Sequence, residues 1–240
     1  MTEIIEREKG NTAYGSDNEA LCDNRGSGCC EPPLPSEAEF DAAKDERFSA
    51  EIHARLKNAG AAVAGLGGLG SHIAVMLARS GIGQLHLVDF DRVELSNLNR
   101  QVYSVEHIGR YKTEALCEIL QKINPYMNIS YETVRIDREN AADTFSKYKY
   151  VCEAFDKPEA KAMLVSEILA SNKDTIIVSG SGMAGYGEAN EIKTRRVMSR
   201  LYVCGDGISD ANAGIGLMAP RVMICAGHQA NMVIRLILGE

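Results

Sequence analysis

The 240-residue sequence holds no apolar run approaching the ~20 residues that a membrane-spanning helix needs. Its first residues, Met1-Thr2-Glu3, lead into no basic stretch followed by an apolar segment, so no secretory signal and a cytoplasmic home are expected. Positive charge is also not in excess. The net charge of −7 arises within residues 1–45, which hold 11 acidic and 4 basic side chains, and the other 195 residues carry 22 of each sign. A neutral body offers no global basic face, and nucleic acid is not an expected partner. Among the seven cysteines, Cys117, Cys152, Cys204 and Cys225 have no metal-ligand spacing and sit in or beside apolar segments, the pattern of reduced, buried thiols. His53, His72, His86, His107 and His228 share no ligand spacing, and no Ser-His-Asp or Cys-His arrangement is recognisable.

The sequence does contain an alternating series of strand and helix patterns. Residues 1–43 hold three of the six prolines, a Gly-Ser-Gly stretch at 26–28, and Cys22, Cys29 and Cys30; they predict a poorly ordered leader ahead of one domain over 44–240. A helix is expected over 46–58. Ala61-Ala62-Val63-Ala64 is a short apolar run of the kind found in buried parallel strands. Helical spacing follows over 70–80, 111–123 and 159–170, and strand patterns over 84–88, 129–136, 150–154 and 175–178. Alternation of this kind predicts an α/β, Rossmann-like fold: a mostly parallel sheet with helices on both faces. Beyond Gly180 the order changes. Strands at 191–198 and 201–203 predict an antiparallel C-terminal portion, closed by a long helix over 221–238 that is apolar over most of its surface.

Gly65-Leu66-Gly67-Gly68-Leu69-Gly70 satisfies G-x-G-x-x-G between a strand and a helix. Glycines there let the backbone turn tightly and approach a phosphate, and the free N–H groups of the helix start face the anion. Asp89 ends the next strand, where a ribose-hydroxyl acceptor is expected. These features indicate a nucleotide without selecting it, and an NAD-dependent oxidoreductase would share them. The next stretch is decisive. Asp89-Phe90-Asp91-Arg92-Val93-Glu94-Leu95-Ser96-Asn97-Leu98-Asn99-Arg100-Gln101 is a long polar loop that a plain dinucleotide-binding domain does not need.

This run, with Gly109, Lys112, Ile123-Asn124-Pro125 and Glu153-Ala154-Phe155-Asp156, resembles the ThiF/MoeB/HesA branch of the ubiquitin-activating superfamily. Gly205-Asp206-Gly207 and Gly216-Leu217-Met218-Ala219-Pro220-Arg221 look like the short ThiF variety, a sulfur carrier protein adenylyltransferase. The resemblance implies that Gly65, Gly67, Gly68 and Gly70 back an ATP, with Asp89, Asp91 and Asn97 at its sugar and phosphates. Arg100 and Lys112 would neutralise the triphosphate, and Asp156 would hold Mg²⁺. The implied reaction adenylates the C-terminal glycine carboxylate of a small ThiS-type carrier in thiamine (thiazole) biosynthesis, within a homodimer to which an arginine, Arg47 as the nearest match or Arg55 as the alternative, contributes across the interface. A carboxylate is ionised at neutral pH, so such a reaction needs no general base or nucleophile. Related activities are a molybdopterin-type carrier or a tRNA threonylcarbamoyl group as acceptor; a non-catalytic scaffold is a further alternative.

The sequence departs from the family in two places. Cys204 has no second cysteine three residues on, where Gly207 stands, so the structural zinc of many relatives is not expected. No cysteine occurs over residues 209–216, which disfavours a covalent thiol intermediate.

Overall fold

The computed structural model describes residues 34–210 and 214–240, and the chain from Ser36 to Glu240 packs as one unit. Most of the expected leader, with Cys22, Cys29 and Cys30, lies outside the described residues. From Glu37 the chain is helical.

The single helix expected over 46–58 is two. Helix α1 (Glu37–Phe48) opens on a capping box in which the Ser36 hydroxyl accepts from the Glu39 N–H and the Glu39 carboxylate accepts from the Ser36 N–H. It ends at Ser49, whose φ of 76° no helix accommodates, and the Ser49 side chain accepts from Ile52 N–H to start α2 (Ala50–Lys57). His53 closes the corner, 2.6 Å from Asp45 and 3.5 Å from Asp41. That buried imidazole has a structural partnership and no part in the site below.

Seven strands follow: β1 (Gly60–Ala64), β2 (Gln84–Asp89), β3 (Asn128–Thr133), β4 (Tyr150–Glu153), β5 (Ile176–Gly180), β6 (Lys193–Met198) and β7 (Leu201–Gly205). They form one sheet in the order β3-β2-β1-β4-β5-β7-β6. All neighbours run parallel except β6 and β7, which makes β6 the antiparallel edge expected from the sequence. Period-2 alternation divides each central strand between two cores. Ala61, Val63, Leu85, Leu87 and Cys152 pack on the side of α3 (Gly68–Arg79), α4 (Lys112–Ile123) and α7 (Ala219–Leu238). Ala62, Ala64, Val88, Val151 and Ile177 pack on the other side, with α5 (Ala141–Phe145) and α6 (Pro158–Ser171). β1 and β4 carry no exposed residue, which is why their sequences read as continuous apolar runs.

Helix α7 differs from its expectation. It buries one stripe, including Val222, Cys225, Ala226, Gln229, Ala230 and Val233, while Met223 and Asn231 are exposed and Ile224, Ile234, Leu236 and Ile237 are only partly covered. A helix lying on one face of a sheet needs one apolar face, not a full circumference.

The chain leaves β1 for β2 on one side and reaches β4 on the other. The adjacent carboxyl ends of β1 and β4 therefore form a topological switch point, where open α/β sheets bind their ligands.

Candidate functional site at the β1–β4 switch point

The glycine turn is closed by sterics on its inner side and open on its outer side. Gly65 has φ +89°, and a Cβ there would sit 2.9 Å from both the Ala154 carbonyl oxygen and Phe155 Cδ1. A Cβ on Gly70 would come within 1.7 Å of the Gly65 carbonyl oxygen, so helix α3 can approach β1 only with glycine at that position. At Gly67 an added Cβ would meet nothing nearer than Gln101 Nε2 at 3.8 Å. Gly67 is also the N-cap of α3, and no side chain caps the helix. Its first N–H groups remain available to an anion.

Asp89 stands at the end of β2, only 8% exposed. One carboxylate oxygen accepts from Leu66 N–H at 2.6 Å and the other from Asp91 N–H at 2.8 Å. Burial raises the Asp89 pKa, and the Lys112 charge together with the two N–H groups offsets part of that rise. The sequence-predicted ribose acceptor is thus also the fastener that holds the glycine turn to β2. Each oxygen keeps a lone pair for a further donor.

Beyond Asp89 the polar loop is pinned from beneath. Lys112, buried at the start of α4, donates to Asp91 at 2.9 Å, while the Asp91 carboxylate stays half-exposed. The Tyr103 hydroxyl donates to the Leu66 carbonyl at 2.9 Å. Asn97 is buried and shapes the loop, accepting from Glu94 N–H at 3.1 Å. Arg100 folds back, its Nη1 donating to the Ser96 carbonyl at 3.0 Å and to Asn99 Oδ1 at 2.8 Å, and its Cγ lies 3.6 Å from the position of a Gly68 Cβ. In this arrangement Lys112 and Arg100 are already engaged by the protein. An incoming phosphate would exchange with those contacts.

At the end of β4, Asp156 is exposed. Its place just before Pro158 and α6 makes helix capping a rival role for it. The N-cap of α6 is Lys157, and no side chain caps that helix. Sequence reasoning assigned nothing to the neighbouring Glu153, which is fully buried beneath the same turn. Nor did it find a role for the Gly205-Asp206-Gly207 motif. Asp206 accepts the N–H groups of Ile208 and Ser209, each at 2.8 Å, and pairs with buried Arg221 at 2.5 Å. Burial alone would raise the Asp206 pKa, but these donors and the guanidinium outweigh it and hold the carboxyl well below the usual range. Arg221 also donates to the Glu188 carbonyl at 2.8 Å, tying α7 to the loop between β5 and β6.

A family profile described as the ThiF family matches residues 42–240. The chain belongs to the ThiF family. Among curated relatives, the adenylyltransferase and sulfurtransferase UBA4 of Saccharomyces cerevisiae is 32% identical over 193 residues, 77% of this chain and 43% of the relative. The tRNA threonylcarbamoyladenosine dehydratase of Haemophilus influenzae is 37% identical over 137 residues, 56% of this chain and 52% of the relative. The chain thus spans about half the length of these relatives. A crystal structure of the E. coli tRNA N6-threonylcarbamoyladenosine dehydratase TcdA in complex with ATP superposes with a TM-score of 0.76 at 21% identity, covering 86% of this chain and 97% of that one. At that identity the likeness concerns the fold, and it extends over both the parallel sheet and its antiparallel edge.

The thiols of this ThiF-family domain are placed for packing. Cys204 and Cys225 are buried, and burial pushes their thiols up to about 11 and about 12. Cys152 is also fully buried and its thiol is raised further, burial again being the largest cause. No helix among the described residues is long and apolar enough to cross a membrane.

Proposed function

We propose that this chain binds ATP-Mg²⁺ in the crevice between the glycine turn, Asp89 and Asp156, and transfers AMP to the C-terminal glycine carboxylate of a small ThiS-type sulfur carrier protein. The observation that carries the assignment is the uncapped N-terminus of α3, presented by a sterically obligatory glycine turn at the β1–β4 switch point and flanked by one buried and one exposed carboxylate. The carrier carboxylate attacks the α-phosphorus, the P–O bond to the β-phosphate breaks, and pyrophosphate leaves. No proton has to be removed from the nucleophile. Catalysis reduces to positioning and charge neutralisation.

The roles that the resemblance implies are compatible with the geometry. The N–H groups at the start of α3 receive phosphate oxygens, and Asp89 accepts a ribose hydroxyl while holding the turn. Asn97 keeps the polar loop in register, Arg100 offers a guanidinium fork, and Lys112, steadied by Asp91, offers a point charge. Asp156 suits Mg²⁺, which takes hard oxygen ligands, keeps several waters and uses one or two carboxylates beside substrate phosphates. When bound, the ion offsets charge on the departing pyrophosphate. Assembly as a homodimer, with Arg47 donated across the interface, belongs to the same proposal; Arg47 is exposed in the last turn of α1, whereas the alternative Arg55 donates to the Ile237 carbonyl at 2.9 Å.

The test is ATP–pyrophosphate exchange with purified carriers. Exchange with a ThiS-type carrier, and none with a molybdopterin-type carrier, is the expected result. The Haemophilus relative favours a second reading in which the activated carboxylate belongs to a threonylcarbamoyl group on tRNA. The charge-neutral body disfavours it, since backbone contacts to tRNA call for clustered Lys and Arg. AMP formation that depends on threonylcarbamoylated tRNA, without carrier-dependent exchange, would establish that reading instead. Stabilisation by NAD and not by ATP-Mg²⁺ would point to a dehydrogenase.

A further inference from the structure

Beneath the β4–α6 turn lies a buried ionic clamp that the adenylation chemistry does not use. Glu153, the last residue of β4, is fully inaccessible, and both its oxygens are occupied. Oε1 accepts from Phe155 N–H at 2.7 Å and from Lys161 Nζ at 3.0 Å; Oε2 accepts from Lys161 Nζ at 2.9 Å and from the Ser179 hydroxyl at 2.5 Å. Lys161, on α6, also donates to the Phe155 carbonyl at 2.7 Å. The same two side chains therefore hold the peptide N–H and C=O of Phe155, the residue before Asp156. From the other side of the sheet, Gln229 Nε2 on α7 donates to the Glu153 carbonyl at 3.1 Å and the Val178 carbonyl at 3.0 Å.

The clamp reaches the nucleotide crevice through sterics. The Ala154 carbonyl and the Phe155 ring are what a Cβ on Gly65 would strike, so the β4–α6 turn forms one wall against which the glycine turn is packed. A shift of Phe155 would move Asp156 and loosen that wall together. A neutral turn could be held by ordinary backbone bonds. An ion pair buried on one partner and 20% exposed on the other is a costly way to hold it, because desolvating the charges offsets much of their attraction. What the pair supplies is directional hold on the N–H and the C=O of one residue, and so on the two peptide units that flank Phe155, without adding net charge under a site meant for a triphosphate.

We infer that Glu153 and Lys161 are positioning residues that set the β4–α6 turn, and through it the metal-binding carboxylate Asp156, against the glycine turn. The inference rests on the ATP-Mg²⁺ assignment of the crevice, and its test separates the two. Glu153→Gln keeps the shape and the acceptor for Phe155 N–H but releases Lys161 toward solvent. The double variant Glu153→Gln/Lys161→Met also removes the cation, keeps the packing and guards against a single variant that fails to fold.

Amide hydrogen exchange, measured without nucleotide, should rise about tenfold or more over residues 154–157 in both variants, with the strands β1 and β5 unchanged. The Mg²⁺ concentration that half-saturates ATP-dependent thermal stabilisation should rise about tenfold, the lower end of what outer-shell partners of a metal contribute. Turn exchange equal to wild type in a folded variant would overturn the positioning role outright. So would faster turn exchange with an unchanged Mg²⁺ requirement, since the clamp would then hold the turn with no consequence for the carboxylate. A wild-type protein that ATP-Mg²⁺ does not stabilise at all would instead overturn the assignment of the crevice, and the metal part of the inference with it, while the exchange comparison would still report on the clamp.

Discussion

Two carboxylates border the crevice, and their surroundings are opposite. Asp89 at the end of β2 is buried, each oxygen spoken for by a backbone N–H, and its ionised form is disfavoured by burial. Asp156 at the end of β4 is exposed, caps no helix, and stands over a turn that other residues hold in place. One strand end is built so that its acid fastens the backbone; at the other, a separate buried acid, Glu153, does the fastening and Asp156 stays exposed. A carboxylate that organises its own loop has less freedom to follow a substrate than one whose loop is organised for it. Stability and function are therefore expected to separate at Asp156 and to stay joined at Asp89.

The largest effect is expected where both turns meet. Gly70→Ala places a methyl within 1.7 Å of the Gly65 carbonyl oxygen, so α3 or the glycine turn must move. A loss of about 4 kcal/mol or outright misfolding should follow, beyond the ordinary range for a point substitution. A thermal melt matching wild type would break the claim that the turn is sterically closed.

Asp156→Asn probes the exposed side. Carrier-dependent pyrophosphate exchange should fall about a hundredfold or more, the scale of one lost electrostatic contact in a transition state. The melting temperature without ligand should stay where it was, and the Mg²⁺ requirement should rise. If exchange is normal at low Mg²⁺, the metal is held elsewhere.

Asp89→Asn probes the buried side. The amide places an N–H₂ where one carboxylate oxygen accepted a backbone N–H, at a cost of about 1–3 kcal/mol for an unsatisfied buried group. It also changes the pH response. The folded pKa of Asp89 lies above its ordinary value of 3.8, so the folded state holds the proton more tightly. The stability this contributes is fully present below the unfolded pKa and is lost as pH rises through the folded pKa. Urea titrations across the acid range should show that downward step in the wild-type minus variant difference. A flat difference would mean Asp89 is not perturbed and the contrast with Asp156 is one of exposure alone.

The smallest effect is expected at Cys204. Burial keeps its thiol protonated at neutral pH, so Cys204→Ala should change exchange less than twofold in the folded protein. A loss of several hundredfold would restore a thiol or metal role.

Much of this architecture was legible before any coordinates. The strand and helix periods around β1, α3, β2, α4, β4 and α6 placed those elements within a few residues, because each buries a face whose spacing is local. The glycine turn was equally plain as the break between β1 and α3, and Asp89 as the end of β2, since both are contiguous motifs. The break at Ser49 was not legible, because a positive φ at serine carries no compositional mark. Glu153 was overlooked for a related reason. In sequence it is one acid of four residues ending a strand, and only α6 folding back brings Lys161 onto it, with β5 adding Ser179 and α7 adding Gln229. The Asp206–Arg221 pair was likewise visible as two motifs fifteen residues apart without a reason for either.

Sequence alone determined which family this chain joins and the order of its strands and helices. Those depend on periodicity and on contiguous motifs, both properties of the chain read in one dimension. Tertiary structure decided which acid fastens and which is left exposed, that Lys112 and Arg100 already have protein partners, and that a buried ion pair lies beneath the Asp156 turn. Burial and hydrogen-bond satisfaction are set by elements that meet only after folding, and it is burial that makes one carboxylate a fastener and another half of a buried ion pair while a third stays exposed.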